Sequence, residues 1–206
     1  TQYILKVTND HFKKTLTPAD VIWSYSGVRP LLEDESSDPS AVTRDYTLHV
    51  EDQQNKAPLL SIFGGKITTY RKLARSAMTK LEPYFDHLAA PWTHSKPLPG
   101  GNLGMSLDAF AMKLQQDYPF IGASLAHRFA NSYGDLSHAF LKKANSESDL
   151  GQHFGNQLYQ LEVDHLIHNE WAHSAEDILW RRTKLGLEFT PDQVNALESY
   201  VQSHIQ

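Results

Sequence analysis

The sequence predicts an α+β protein in which a short β-rich segment precedes an all-helical C-terminal domain. Apolar residues alternate at a period of two over residues 43–51, and residues 58–81 combine an apolar strand, a glycine turn and a helical repeat. Every periodic segment in the second half of the chain has helical spacing instead. Four prolines and three glycines crowd residues 83–104, which we therefore interpret as a connector between domains at 1–82 and 105–206.

The first domain is predicted to contain two helices, a hairpin and one further strand. In chain order these are a helix over 3–12, a strand over 21–32 that runs into an acidic loop at 33–40, a hairpin of strands 43–51 and 58–63, and a helix over 70–81.

The second domain is predicted from its helical repeats and cap signals. Helical spacing covers residues 107–114, 125–133 and 136–141. Ser174 and Asp177 form a capping box for a further helix. Its predicted end is marked by Arg181, Arg182, Lys184 and Gly186. The run from Thr190 to Gln193 begins the final helix in the same way.

The composition limits the possible functions. The 206 residues carry 19 basic and 24 acidic side chains, so the net charge of -5 gives no overall attraction to nucleic acid or anionic lipid. Any anion site must therefore be local. The absence of cysteine excludes a disulfide framework, a thiolate zinc site and a cysteine nucleophile. No run reaches the ~18 apolar residues of a membrane-spanning helix. The first methionine is Met78, so we expect residues upstream of Thr1 to have been removed or left out.

The turn at Gly64, Gly65 and Lys66 lies between a strand and a helix whose first turn holds Thr68 and Thr69. Backbone N–H groups and the positive helix end would point at whatever lies above the strand, which favours an anion or an electron-rich ring. The alternative is a tight connection with a solvated lysine. The spacing does not fit a phosphate-binding P-loop.

Two arginines could add positive charge to that of Lys66. Arg29 stands between Gly27 and Pro30, which would hold its guanidinium in place for a phosphate or carboxylate. Pairing with a nearby acidic side chain is the alternative for Arg29 and also for Arg44.

Two Glu-x-x-His pairs, Glu162 with His165 and Glu170 with His173, have the spacing found in di-iron bundles. Both pairs lie on one predicted helix rather than on facing helices, so we predict no metal site. We expect His153, His165, His168 and His173 to lie on a solvated face. The sequence also lacks a nucleophile elbow and a dinucleotide fingerprint.

Three stretches are specific enough to identify a family. They are residues 23–31 (WSYSGVRPL), 43–45 (TRD) and 60–71 (LSIFGGKITTYR), supported by 149–151 (DLG), 170–172 (EWA) and 177–184 (DILWRRTK). In order and spacing they closely resemble the FAD-dependent glycerol-3-phosphate dehydrogenases of aerobic bacteria, over essentially the whole chain.

The resemblance implies the C-terminal part of a longer flavoenzyme, with the FAD domain and its glycine fingerprint upstream of Thr1. Residues 1–82 would be the last part of the substrate and FAD domains, and residues 105–206 the helical cap. The family oxidises sn-glycerol 3-phosphate to dihydroxyacetone phosphate by hydride transfer from C2 to flavin N5, with electrons passing to a quinone. The chain by itself is expected neither to retain FAD nor to be active.

The resemblance also implies roles for the turn and the arginines. Arg29 resembles the family's phosphate-binding arginine, and Arg44 would belong to the same anion pocket. Lys66 resembles the lysine between flavin and substrate, where a cation stabilises developing negative charge. Backbone groups of four residues would face the flavin: Gly64, Gly65, Ile67 and Thr68. No general base is visible.

The implied partners are glycerol 3-phosphate, a quinone and the missing FAD domain, with a homodimer of the full-length enzyme and no nucleic acid. The implied location is the cytoplasm or the cytoplasmic face of the inner membrane, although the acidic balance and the lack of a polybasic helix give membrane docking no local support. Two alternatives stay open. One is an oxidase that reduces oxygen, and the other is a non-catalytic helical interaction module.

Overall fold

A computed structural model describes residues 1–28, 45–53 and 56–205 of the chain. They form two compact units, Thr1–Lys96 and Pro97–Gln206. The boundary between the units falls inside the stretch interpreted above as a connector. The predicted α+β class is confirmed, with a β-hairpin in the first unit and a mainly helical second unit.

The first unit is a hairpin followed by a helix, preceded by a separate N-terminal helix. Its elements are α1 (Gln2–His11), β1 (Tyr46–Glu51), β2 (Leu59–Gly64) and α2 (Tyr70–Leu81), with 3-10 turns at Pro18–Asp20, Ile67–Thr69 and Glu82–Tyr84. The predicted hairpin is confirmed: the strands are antiparallel, with Leu48 opposite Ile62 and Val50 opposite Leu60. Burial along β1 alternates as the period of two predicts.

The strand predicted over residues 21–32 is wrong for the part that the structure describes. Residues 21–28 form neither helix nor strand. Trp23 and Tyr25 stack on each other with ring centroids 5.2 Å apart. Their β propensity is overridden because no described strand pairs with this segment, and a strand needs a partner for its backbone hydrogen bonds. Residues 29–44, which include the end of that strand and the predicted loop, lie outside the described residues.

The second unit contains five α-helices, a short hairpin and a π-helix among its described residues. These are α3 (Leu107–Asp117), α4 (Ala123–Tyr133), α5 (Ser137–Leu141), β3 (His153–Gly155), β4 (Leu158–Tyr159), α6 (Gln160–Glu170), a π-helix (Asp177–Arg182) and α7 (Pro191–His204), with 3-10 turns at Gly134–Leu136, Glu147–Leu150 and Leu185–Glu188. The predicted helical spacings are therefore confirmed. No described helix is long and apolar enough to cross a membrane.

The β3–β4 hairpin is absent from the sequence prediction of an all-helical domain. Asn156 and Gln157 form its turn with positive φ angles of 40° and 60°, as a two-residue hairpin requires. The strands have three and two residues, which is too short for an alternating pattern to be recognised.

One of the two predicted capping boxes in the second unit forms completely, and the other forms in part. Thr190 and Gln193 form the predicted capping box, in which Gln193 N donates to Thr190 Oγ1 at 3.4 Å and Thr190 N donates to Gln193 Oε1 at 2.9 Å. The Ser174 hydroxyl accepts from Asp177 N at 3.1 Å, but the Asp177 carboxylate accepts from His173 N rather than from Ser174 N. The helix that follows ends at Arg182, before the predicted stop at Gly186.

Nearly all of the buried apolar side chains described belong to the second unit. Phe129, Leu114 and Leu166 lie in its single core cluster, which draws on all five helices. In the first unit Ala77 is the one described residue that counts as buried. The second unit therefore has its own core, whereas the described part of the first unit has almost none.

Candidate functional site

The glycine turn lies where the sequence predicts it, between β2 and the helical run that leads into α2. Gly64 and Gly65 have φ angles of 74° and 104°, in the region that glycine adopts without strain. A Cβ added to Gly65 would lie 3.3 Å from Leu73 Cδ1 and 3.6 Å from Tyr46 Cβ. The two glycines therefore let the chain reverse direction close to both the strand and the helix.

The helical run begins directly after Lys66. Thr69 donates to the Lys66 carbonyl oxygen twice, from its backbone N at 3.0 Å and from its hydroxyl at 2.9 Å. A 3-10 turn over Ile67–Thr69 continues into α2 without a break. The first N–H groups of such a run have no partner within the helix, so they are available to an acceptor or a ring in front of it.

The side chains at this helix start are open to solvent. Lys66 and Thr68 are exposed, and Ile67 is 89% exposed. No ion pair involves Lys66 among the described residues. Within the described residues, the helix start therefore presents an exposed ammonium group next to an uncovered isoleucine.

The position of the turn is fixed by contacts between the hairpin and α2. The Tyr46 hydroxyl lies 3.0 Å from the Ser76 hydroxyl, and Tyr46 is paired with Gly64 across the hairpin. This bond connects the strand end, the glycine turn and the second turn of α2. The structure thus places Gly64, Gly65, Lys66, Ile67 and Thr68 in one continuous loop and helix start.

The two predicted anion-binding arginines, Arg29 and Arg44, lie outside the described residues. The cationic cluster of these arginines with Lys66 therefore stays a prediction.

A second group of polar residues, in the helical unit, was missed by the sequence analysis. Glu162 is 0% exposed and accepts from both terminal nitrogens of the Arg128 guanidinium, each at 2.6 Å. The Tyr133 hydroxyl donates to the same carboxylate at 2.5 Å. Burial and the adjacent negative charge raise the pKa of Tyr133 far above its usual range, so its hydroxyl keeps its proton.

These contacts correct the prediction for the histidines. His165 does not lie on a solvated face: it is 8% exposed and packs against Tyr133 and Phe140 with centroids 5.6 and 5.0 Å away. Burial lowers the pKa of His165, although the negative charges of Glu170 and Glu162 oppose this effect. Among the described residues, no three histidine or acidic side chains come together as metal ligands. In the first Glu-x-x-His pair, the glutamate is already engaged by an arginine and a tyrosine.

The mainly helical unit agrees with a family comparison. Residues 91–203 match the family described as the C-terminal domain of alpha-glycerophosphate oxidase. The chain belongs to this family.

Comparison with individual proteins extends the similarity to the glycine turn. The chain is 47% identical over 204 residues to the aerobic glycerol-3-phosphate dehydrogenase of Escherichia coli. The aligned region covers 99% of the chain and 41% of that protein. It is 51% identical over 203 residues to the glycerol-3-phosphate dehydrogenase of Pseudomonas aeruginosa, covering 98% of the chain and 40% of that protein. It is also 43% identical over 189 residues to the D-erythritol 1-phosphate dehydrogenase of Brucella abortus, covering 91% of the chain and 38% of that protein. The chain thus spans about two fifths of the length of these relatives.

Proposed function

We propose that the chain is the C-terminal part of a flavoprotein that oxidises sn-glycerol 3-phosphate to dihydroxyacetone phosphate. The observation that carries the proposal is its identity of 47% and 51% to two glycerol-3-phosphate dehydrogenases over nearly its whole length. Because the chain spans only 41% and 40% of those proteins, the rest of the active site would come from residues that precede it.

The glycine turn supports FAD as the cofactor. Gly64 and Gly65 place no side chain between the backbone and a ligand, and a Cβ on Gly65 would lie 3.3 Å from Leu73 Cδ1. Gly64, Gly65, Ile67 and Thr68 would hold the flavin ring through backbone groups at the helix start. The chemistry that FAD supplies when bound is acceptance of a hydride from C2 of the substrate and transfer of the electrons to a quinone.

Lys66 would supply the positive charge at this position. The ammonium group of Lys66 has no ion-pair partner among the described residues. It can therefore stabilise an alkoxide on the substrate or a negative charge that develops beside the substrate. Arg29 and Arg44 would bind the substrate phosphate, since a dianion needs a fixed fork of donors.

The near absence of buried apolar side chains in the described part of the first unit supports an inactive fragment. Large apolar side chains such as Ile4, Ile62 and Phe63 are exposed, and a two-stranded hairpin is marginally stable without further packing. The preceding part of a longer protein would cover these surfaces and complete the FAD site. The same longer protein would be cytoplasmic or peripheral to the inner membrane, and its dimeric state stays a prediction.

The test is a pair of lysine variants in the longer protein, assayed with a soluble dye as the electron acceptor. We expect Lys66→Met to lower kcat for glycerol 3-phosphate by about 100-fold, the scale for loss of one electrostatic stabiliser, and Lys66→Arg to recover part of it. Lys142→Met is the matched control, because Lys142 is exposed in the helical unit. Bound flavin is measured by absorbance, which separates a catalytic effect from loss of cofactor. Equal rates for Lys66→Met and the control would overturn the role of Lys66.

The substrate assignment has its own comparison, because one relative is a D-erythritol 1-phosphate dehydrogenase. We expect a higher kcat/KM for glycerol 3-phosphate than for D-erythritol 1-phosphate. A higher kcat/KM for D-erythritol 1-phosphate would contradict the proposal and identify D-erythritol 1-phosphate as the preferred substrate.

An oxidase is a second candidate function, favoured by the family description as alpha-glycerophosphate oxidase. Oxygen consumption without any added acceptor would identify the oxidase. Turnover that requires a quinone or dye would identify the dehydrogenase.

A further inference from the structure

The glycine turn has no side chain that could fix its own position. Gly64 and Gly65 both have positive φ angles, and glycine has more backbone freedom than any other residue. Lys66, which follows them, is exposed. The position of the turn is therefore set by the elements that pack against it, which are β1 and α2.

Tyr46 contacts all three parts of this arrangement. It is the first residue of β1 and pairs with Gly64 across the hairpin. Its Cβ lies 3.6 Å from the point that a Cβ on Gly65 would occupy. Its hydroxyl lies 3.0 Å from the Ser76 hydroxyl of α2. One half-buried side chain thus connects the strand, the turn and the helix.

Ser76 lies on the side of α2 that faces the hairpin. Residues three apart share one face of a helix, and Leu73, three residues before Ser76, approaches Gly65. Ala77, the residue after Ser76, is buried. The Ser76 hydroxyl therefore lies within a contact that is otherwise apolar, where a hydroxyl without a partner is costly. Tyr46 supplies that partner.

A second tyrosine forms the same kind of bond at the opposite end of the hairpin. The Tyr84 hydroxyl donates to Asp52 Oδ2 at 3.0 Å. Asp52 directly follows β1, and Tyr84 lies in the 3-10 turn that follows α2. The six residues of β1 separate Asp52 from the turn, which is about 20 Å at about 3.3 Å per residue. Of these two tyrosines, Tyr46 is the one that lies at the glycine turn.

We propose that Tyr46 and Ser76 are positioning residues for the reaction, because their hydroxyl bond fixes the glycine turn and the Lys66 that follows it in a productive geometry. The inference rests on the proposed function, in which the turn holds the flavin and Lys66 stabilises negative charge. A displacement of about 1 Å at a reacting group can cost about 100-fold in rate. A bond that limits movement of the turn therefore contributes to kcat without touching either ligand.

The experiment uses the longer flavoprotein and compares two variants that each lose one tyrosine hydroxyl. Tyr46→Phe removes the bond at the glycine turn, and Tyr84→Phe removes the bond at the far end. We expect Tyr46→Phe to lower kcat for glycerol 3-phosphate about 10-fold, because Lys66 is displaced by part of an ångström. KM should change little, and Tyr84→Phe should leave both constants unchanged. Thermal unfolding of both variants separates an effect on stability from the effect on kcat. Equal kcat values for the two variants would overturn the proposal.

Variants of Ser76 distinguish the hydroxyl bond from a direct contact of Tyr46 with a ligand. Ser76→Ala removes the other hydroxyl, so we expect the same loss of kcat as in Tyr46→Phe. The double variant should lose no more than either single variant, because all three remove one and the same interaction. Ser76→Thr keeps a hydroxyl and should retain most of the rate. An unchanged kcat in Ser76→Ala, or two losses that multiply in the double variant, would contradict the positioning role.

Two measurements without turnover complete the test. Titration of the flavin-free protein with FAD should give a higher dissociation constant for Tyr46→Phe and Ser76→Ala than for Tyr84→Phe. Hydrogen exchange followed by mass spectrometry should be faster over residues 64–70 in the same two variants, and unchanged exchange there would refute the inference. A failure of the proposed function looks different, because the unsubstituted protein would then neither bind FAD nor oxidise glycerol 3-phosphate, and the inference would fall with it.

Discussion

The Arg128 guanidinium and the Glu162 carboxylate form a bidentate ion pair between α4 and α6, with two N–O distances of 2.6 Å. Glu162 is 0% exposed and the Arg128 side chain is 18% exposed. Arg128 also donates to the Gln157 carbonyl oxygen at 2.8 Å, in the turn of the β3–β4 hairpin. A single side chain therefore connects two helices and the small hairpin of the helical unit.

Removing one partner of this ion pair should strongly destabilise the helical unit. In Arg128→Met the buried Glu162 carboxylate loses its ion-pair partner, so we expect the free energy of unfolding to fall by about 3–5 kcal/mol. Arg128→Met combined with Glu162→Met should recover much of the loss, because no buried charge is left. Urea unfolding followed by circular dichroism measures both.

Arg181→Met is the control for that experiment. Arg181 pairs with Glu176 and Asp177 at 2.8 and 2.9 Å, but its side chain is more than half exposed. An exposed pair contributes about 0–1 kcal/mol. Similar losses for Arg128→Met and Arg181→Met would contradict the importance of the buried pair.

Gly134 is predicted to tolerate no side chain. Its φ is 55°, and a Cβ there would lie 1.8 Å from the Gly100 carbonyl oxygen, which accepts from Asp135 N at 3.1 Å. Gly134→Ala must push the segment at Gly100 away from the end of α4, at a cost of about 1–3 kcal/mol or more. Thermal unfolding gives the effect, with Gly122→Ala as the control because no atom lies within 4 Å of its added Cβ. A control as unstable as Gly134→Ala would contradict the close approach.

The sequence predicts secondary structure most accurately where one hydrophobic period extends over enough residues to outweigh other local preferences. The hairpin and α2 were predicted because alternation and helical spacing adjoin each other across Gly64 and Gly65. The β3–β4 hairpin is too short for any period. The strand predicted over 21–32 is wrong within 21–28, because no described strand pairs with this segment and a strand needs a partner for its backbone hydrogen bonds.

The buried polar network shows a different limit. The sequence predicts a solvated face for His165, because titratable side chains mostly face water, and it assigns no buried position to Glu162. Both occupy the side of α6 that also buries Val163 and Leu166, so a charged residue within an apolar stripe was the available signal. The partner of Glu162 could not be predicted, because Arg128 lies 34 residues earlier and meets it only through the packing of α4 on α6.

His165 should make the helical unit sensitive to acid. Burial lowers its pKa below the unfolded value of about 6.5, so folding favours the neutral ring. The contribution of this group to the free energy of unfolding is therefore fully present only above about pH 6.5. As pH falls below about 6.5, the unfolded chain takes up a proton that the folded chain does not, and stability decreases. The negative charges of Glu170 and Glu162 oppose this lowering of the pKa and limit the effect.

Urea unfolding between pH 7 and pH 5 tests this dependence. His165→Phe keeps an aromatic ring beside Tyr133 and Phe140 but cannot titrate. Its free energy of unfolding should therefore decrease less steeply as the pH falls. The difference in slope from the unsubstituted chain can reach about 1.4 kcal/mol per pH unit. His168→Gln, at an exposed position of the same helix, should keep the steep dependence. Parallel pH profiles for His165→Phe and the unsubstituted chain would contradict the role of His165.

Arg29 provides the test of the predicted phosphate site in the longer protein. If its guanidinium binds the phosphate of the substrate, Arg29→Ala removes a bidentate contact with a dianion. A hydrogen bond to a charged group contributes about 1.5–3 kcal/mol, so KM for glycerol 3-phosphate should rise by 10-fold or more. Glycerol lacks the phosphate, so the slow rate with glycerol should change little. Steady-state kinetics with both substrates separate this role from a general loss of structure, because misfolding lowers both rates together. Equal losses for the two substrates would show that Arg29 does not recognise the phosphate.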